Sequence, residues 1–154
     1  MSLLSVVIAW FHIFFAIAWI GSAVFFAFVL TPVLSSLSQG ARGEFFGKAI
    51  PRVEKFEIIV STMTIAFGAP LPFILSEQSI FIKVGAGLGI LTWLFGIAVM
   101  APLSKQLVSA INGQASGQLA VEISRVSKKF GIASFIDLVL MLMTFSAMVA
   151  AGFL

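Results

Sequence analysis

No aspartate, glutamate, lysine or arginine occurs in the first 41 residues, and the stretch from Leu3 to Leu30 is almost unbroken hydrocarbon. A helix of that length spans about 42 Å, more than the roughly 30 Å of a bilayer core. A secretory signal carries basic residues ahead of a much shorter apolar segment, and neither feature is present. The chain is therefore expected to open with a retained transmembrane helix. That helix holds His12, the only histidine, at membrane depth.

The rest of the composition agrees. With 154 residues, 60% of them hydrophobic and 10% charged, residues 1–154 are expected to form one small domain whose solvent is mostly lipid. The absence of cysteine removes disulfides, thiolate metal sites and thiol catalysis together. A net charge of +3 spread over the polar segments reads as a topology signal and not as a nucleic-acid footprint. No phosphate loop, zinc spacing or nucleophile elbow appears, so an enzyme is not the expected reading. The run Gly85-Ala86-Gly87-Leu88-Gly89 lies inside an apolar segment and is expected to pack helices.

Four apolar spans are drawn at about 3–30, 51–75, 80–102 and 130–154, which predicts an all-α, antiparallel four-helix transmembrane bundle. Thr31-Pro32 is expected to end the first helix and Pro51 to sit in the first turn of the second. Pro70 and Pro72 should kink or end the second helix. Only Ser76-Glu77-Gln78-Ser79 separates the second span from the third, which predicts an antiparallel hairpin. Glu44–Ile50 is expected to form a short interfacial helix with Phe45 and Phe46 dipping into lipid. Helices three and four are expected to run past the membrane surface to a turn near Asn112-Gly113 and Ser116-Gly117. Basic residues gather in the first linker (Arg42, Lys48, Arg52, Lys55) and the third (Lys105, Arg125, Lys128, Lys129). By the positive-inside rule both linkers are cytoplasmic, which places both termini outside in a multi-pass protein of the cell membrane.

Depth then groups the unusual side chains. His12 lies about 14 Å from the outer end of helix one, and Met63 and Met143 fall at a similar level, while Met100 lies near the inner surface. An imidazole and two thioethers are ligands suited to Cu(I), or to haem iron as a His/Met pair. The alternative is methionine as packing filler and His12 in an interhelical hydrogen bond. Ala9, His12, Ala16, Trp19, Ala23 and Phe26 share one face at three-and-four spacing, which should turn His12 into the bundle. On the basic side, Arg52, Lys55, Glu57 and Asp137 form a second, charged cluster. It is read either as an ion-pair network or as a proton path, with Asp137 expected to pair with Arg52 or Lys55. Lys83 is near the outer surface and can snorkel.

The run His12-Ile-Phe-Phe-Ala-Ile-Ala-Trp19-Ile-Gly21, continuing to Phe25, Phe26 and Pro32, resembles the first helix of CopD-like membrane proteins, named from copper resistance, and of the related HemJ-type oxidases. The resemblance implies a small helical bundle with a copper or haem b site on His12 and an apolar wall that includes Trp19. Many members of these groups carry a further histidine in a later helix, and this chain has none. A bis-histidine haem within one subunit is therefore excluded. His/Met ligation, five-coordinate haem, a site shared between subunits, copper, or no cofactor remain.

Two functions follow as expectations. The first is metal or haem handling with His12, Met63 and Met143 as ligands. The second is a non-catalytic accessory subunit of a larger membrane complex, supported by the small-residue faces at Gly85, Gly89 and Gly96. The expected partners are the lipid bilayer and either further copies of the chain or other membrane subunits. A transporter built on Glu57 and Asp137 is a third idea, without an inverted repeat to support it.

Overall fold

A computed structural model describes residues 2–76, 79–112 and 119–152. The helices are α1 (Leu3–Phe25), α2 (Thr31–Ser36), α3 (Gln39–Gly68), α4 (Leu71–Ile74), α5 (Ile80–Phe95), α6 (Ala101–Asn112) and α7 (Leu119–Ala151). π-Helical turns at Phe26–Leu30 and Gly96–Met100 join α1 to α2 and α5 to α6. Among the described residues there is no strand, and four helical rods are long and apolar enough to cross a membrane: Leu3–Leu34, Gly43–Ile74, Ile80–Ile111 and Ser124–Ala151. Their outer surfaces are apolar, with Leu3, Phe28 and Phe73 68–86% exposed. Apolar exposure on this scale suits lipid and not water.

The first two rods are longer than the sequence boundaries because their prolines do not break them. Thr31-Pro32 was expected to end the first helix, yet the rod continues to Ser36. The π turn just upstream supplies the room. The Thr31 N–H bonds back to the Phe26 carbonyl, and its Oγ1 donates to the same oxygen at 2.9 Å. Pro32 then falls in the first turn of α2, where its missing N–H is harmless. The third rod repeats the device, with a π turn ending at Met100 and Pro102 two residues later.

Pro51 required a different solution. The separate interfacial helix expected at Glu44–Ile50 is not formed; α3 runs unbroken through it, with Pro51 in its interior. A proline there costs about 3 kcal/mol. Ile50, immediately before it, is 3% exposed and packs with Leu107, Ile111 and Val126, with Phe46 and Phe130 beside them. Burying Ile50 returns about 1.5–3 kcal/mol, and Phe46 adds to it. Tertiary packing therefore overrides a local break. Pro70 behaves as the sequence implies: α3 stops at Gly68 and one short turn, α4, follows.

The bundle is two antiparallel pairs, α1 on α3 and α5 on α7, joined by contacts of α3 with α5 and α6 and of α1 with α7. The expected small-residue packing holds at two of three glycines. A Cβ on Gly85 would come within 3.0–3.1 Å of Met148, and one on Gly89 would sit 3.4 Å from the Thr144 methyl. Gly96 faces nothing within 4 Å. The short link after α4 does return α5 antiparallel to α3, where Trp93 Nε1 donates to Thr62 Oγ1 at 3.1 Å. In mid-bundle, Trp19, Val60 and Met141 form one buried layer, with Trp93 packed against it. Both long helices reach past their apolar spans as expected, α6 to Asn112 and α7 back to Leu119; the turn placed at Gly113 to Gly117 lies outside the described residues.

Candidate functional site

His12 does face the bundle. Its Nδ1 lies 2.9 Å from the carbonyl oxygen of Thr64 on α3. A carbonyl only accepts, so Nδ1 carries the proton and donates. That assignment puts the free lone pair of the neutral ring on Nε2, for which no hydrogen bond exists among the described residues. The approach depends on Gly68, one turn beyond Thr64. A Cβ there would lie 2.5 Å from Cε1 and 2.6 Å from Nδ1 of His12. A wall of rings flanks the site: Phe67 stacks on Phe11 and Phe15 with centroids 5.1 and 5.9 Å away. The predicted face of α1 holds as well. Ala9, His12, Ala16, Trp19, Ala23 and Phe26 are all buried or half-buried, while Trp10, Ile13, Phe14 and Ile17 between them are exposed.

The structure does not gather the thioethers around this imidazole. Met63 is 37% exposed and Met143 51% exposed. Met143 lines an outer groove made only by α5 and α7, together with Phe81, Val84 and Leu88. Trp19, expected in a cofactor wall, is 6% exposed in the mid-bundle layer with Val60 and Met141. Among the described residues no three histidine, aspartate or glutamate side chains are grouped to hold a metal ion.

One turn from that layer toward the basic end lies a polar layer. Ser22 follows Trp19 by three residues, Glu57 precedes Val60 by three, and Asp137 precedes Met141 by four. Helical spacing thus carries all three to one level on inward faces. Ser22 Oγ is 2.5 Å from Glu57 Oε1 and 2.7 Å from the Trp19 carbonyl, sharing one hydrogen between two acceptors. One turn farther, Ser104 Oγ on α6 donates to Glu54 Oε2 at 2.6 Å. Asp137 receives nothing: its Oδ1 is buried without a hydrogen-bond partner.

Asp137 therefore does not form the expected ion pair with Arg52 or Lys55. Arg52 Nη1 donates instead to the Lys48 carbonyl at 2.6 Å, and both bases are exposed on the outside of α3. Among the described residues the one ion pair is Lys48 with Glu44 on the same helix. Depth matched the charges, but the two bases turn away from the face that Asp137 shares with Ala133 and Met141. Two carboxylates, one hydroxyl and no base make a layer able to exchange protons or hold a small cation. Sequence reasoning missed Ser22, Thr64, Gly68, Glu54 and Ser104. Only Ser22 had a usable signal, a hydroxyl one turn from Trp19 on the inward face of helix one. Comparison with known protein families, with curated proteins and with solved structures finds no match.

Proposed function

We propose that this chain is a multi-pass membrane protein of CopD-like type in which His12 offers Nε2 as the one ligand that a single copy supplies to a haem b iron or a copper ion. The observation that supports this reading is the 2.9 Å contact of Nδ1 with the Thr64 carbonyl. Ligating histidines characteristically donate their other ring N–H to a carbonyl or carboxylate, which fixes the tautomer and the plane of the ring. A copper site of His12, Met63 and Met143 within one chain does not fit, because the thioethers turn outward. Single-histidine ligation does fit, with the remaining coordination positions left to a second copy, another membrane subunit or a small molecule. Such a group would supply one-electron redox chemistry when bound; Thr64 and Gly68 hold the imidazole that would carry it. In this reading the basic linkers face the cytoplasm and both termini lie outside.

The test is an absorption spectrum with metal analysis of purified protein, wild type and His12→Ala. A Soret band or stoichiometric copper that disappears in His12→Ala is the expected result. The outward turn of Met63 and Met143 favours a second reading, a cofactor-free accessory subunit. Neither metal nor Soret band in a preparation that brings other membrane chains with it would replace the first reading with the second. Labelling of Ser2 and Glu77 from the outside tests the orientation independently.

A further inference from the structure

At the basic end of the bundle, α3 and α6 flank an open cleft of about 520 Å³ lined by Pro51, Glu54, Lys55, Ile58, Ile59, Lys105, Val108 and Ser109. Its floor is hydrocarbon from Pro51, Ile58, Ile59 and Val108. One lysine stands on each wall, Lys55 from α3 and Lys105 from α6. The only carboxylate in the lining, Glu54, already accepts from Ser104 at 2.6 Å. Neither lysine forms an ion pair with a described residue, although Lys48, about two helix turns before Lys55, does. The cleft opens sideways to where lipid would lie, since Phe56, Ile58 and Ile59 are 45%, 39% and 46% exposed.

We propose that this cleft binds one anionic phospholipid, with its phosphate between Lys55 and Lys105 and an acyl chain along Ile58 and Ile59. Two amines from different helices line one cleft whose single carboxylate already accepts from Ser104, which leaves the lining with an excess of positive charge, so an anion is the complementary occupant. The apolar floor selects among anions: a free phosphate has no use for it, and an acyl chain does. The heights agree, because Ile59 lies about 6 Å along α3 from Lys55, toward the membrane middle. Basic pockets between transmembrane helices at the membrane surface are suited to lipid head groups for this reason. A lysine placed there only to fix topology needs no partner from a second helix.

Native mass spectrometry of the delipidated full chain, titrated with phosphatidylglycerol, phosphatidylcholine or inorganic phosphate, reads the site directly. Phosphatidylglycerol should be retained over phosphatidylcholine, and inorganic phosphate should not displace it. Lys55→Gln and Lys105→Gln should each weaken retention by about fivefold, and the double variant should erase the preference. The charge-matched control Lys128→Gln/Lys129→Gln, on α7 outside the cleft, should leave it unchanged. Equal retention of the two lipids overturns the proposal, as does an equal loss in the control, which would mean diffuse surface charge. Displacement by inorganic phosphate at concentrations equal to the lipid's would make the occupant a free anion. If the double variant fails to fold, the two single variants still carry the comparison.

Discussion

His12 and Asp137 are both ionisable side chains on inward faces of the bundle, yet one is satisfied and the other is not. His12 has an N–H to give and finds the Thr64 carbonyl at 2.9 Å. Asp137 has only acceptors to offer as an anion, and its Oδ1 finds no donor. The reason lies in the helix. Every interior N–H is already used in the i to i−4 ladder, whereas each carbonyl keeps a second lone pair. A helical bundle therefore absorbs buried donors easily and buried acceptors poorly. Hydroxyls show the same asymmetry: Thr64, Thr92, Ser134 and Thr144 all donate to the carbonyl four residues back. A buried carboxylate needs a donor from another helix, as Glu54 obtains from Ser104 and Glu57 from Ser22. Asp137 has no such serine.

The largest test of this contrast replaces the unsatisfied group. Asp137→Val should raise stability by up to about 3 kcal/mol, measured by thermal unfolding in detergent at neutral pH. A clear loss of stability would mean that the carboxylate has a partner after all. Breaking the satisfied site should act in the opposite direction. Gly68→Ala drives a Cβ to within 2.5 Å of the imidazole. Overpacking of about 1–3 kcal/mol, offset in part by the better helix propensity of alanine, should leave a net loss of about 1–2 kcal/mol. Unchanged melting in that variant would mean that His12 is free to move aside.

Ser22→Ala sharpens the comparison from the acidic side. It leaves Glu57 as donor-poor as Asp137, and a loss of about 1 kcal/mol is expected. That loss should shrink in Glu57→Gln, whose amide brings its own donors; equal losses in both backgrounds would detach Ser22 from Glu57. The smallest effect belongs to His12→Phe, which keeps a ring and removes one interhelical hydrogen bond. Such bonds average about 0.6 kcal/mol in membranes, so unfolding should barely shift while any haem or copper signal disappears. A loss several times larger would give His12 a structural role beyond that bond.

Four membrane-length helices, their antiparallel order and the inward face of α1 were all legible in the chain itself. Each is a statement about hydrocarbon length or about 3.6-residue periodicity, and both are local quantities. Prolines were read correctly where nothing opposed them, at Pro70 and Pro72. They were misread at Pro32, where a π turn made room, and at Pro51, where the packing of Ile50 and Phe46 outweighed the break. The relative levels of His12, Glu57 and Asp137 along the bundle also followed from counting along helices. Rotation about the helix axis did not, and rotation decides contact. It turned Arg52 outward and Lys55 to the cleft, Met63 and Met143 to the outer surface, and Asp137 inward without a donor. It also seated His12 on the one glycine whose missing Cβ lets an imidazole reach a helix carbonyl. Length and period belong to one helix at a time; donor–acceptor pairing belongs to two, and only their packing could set it.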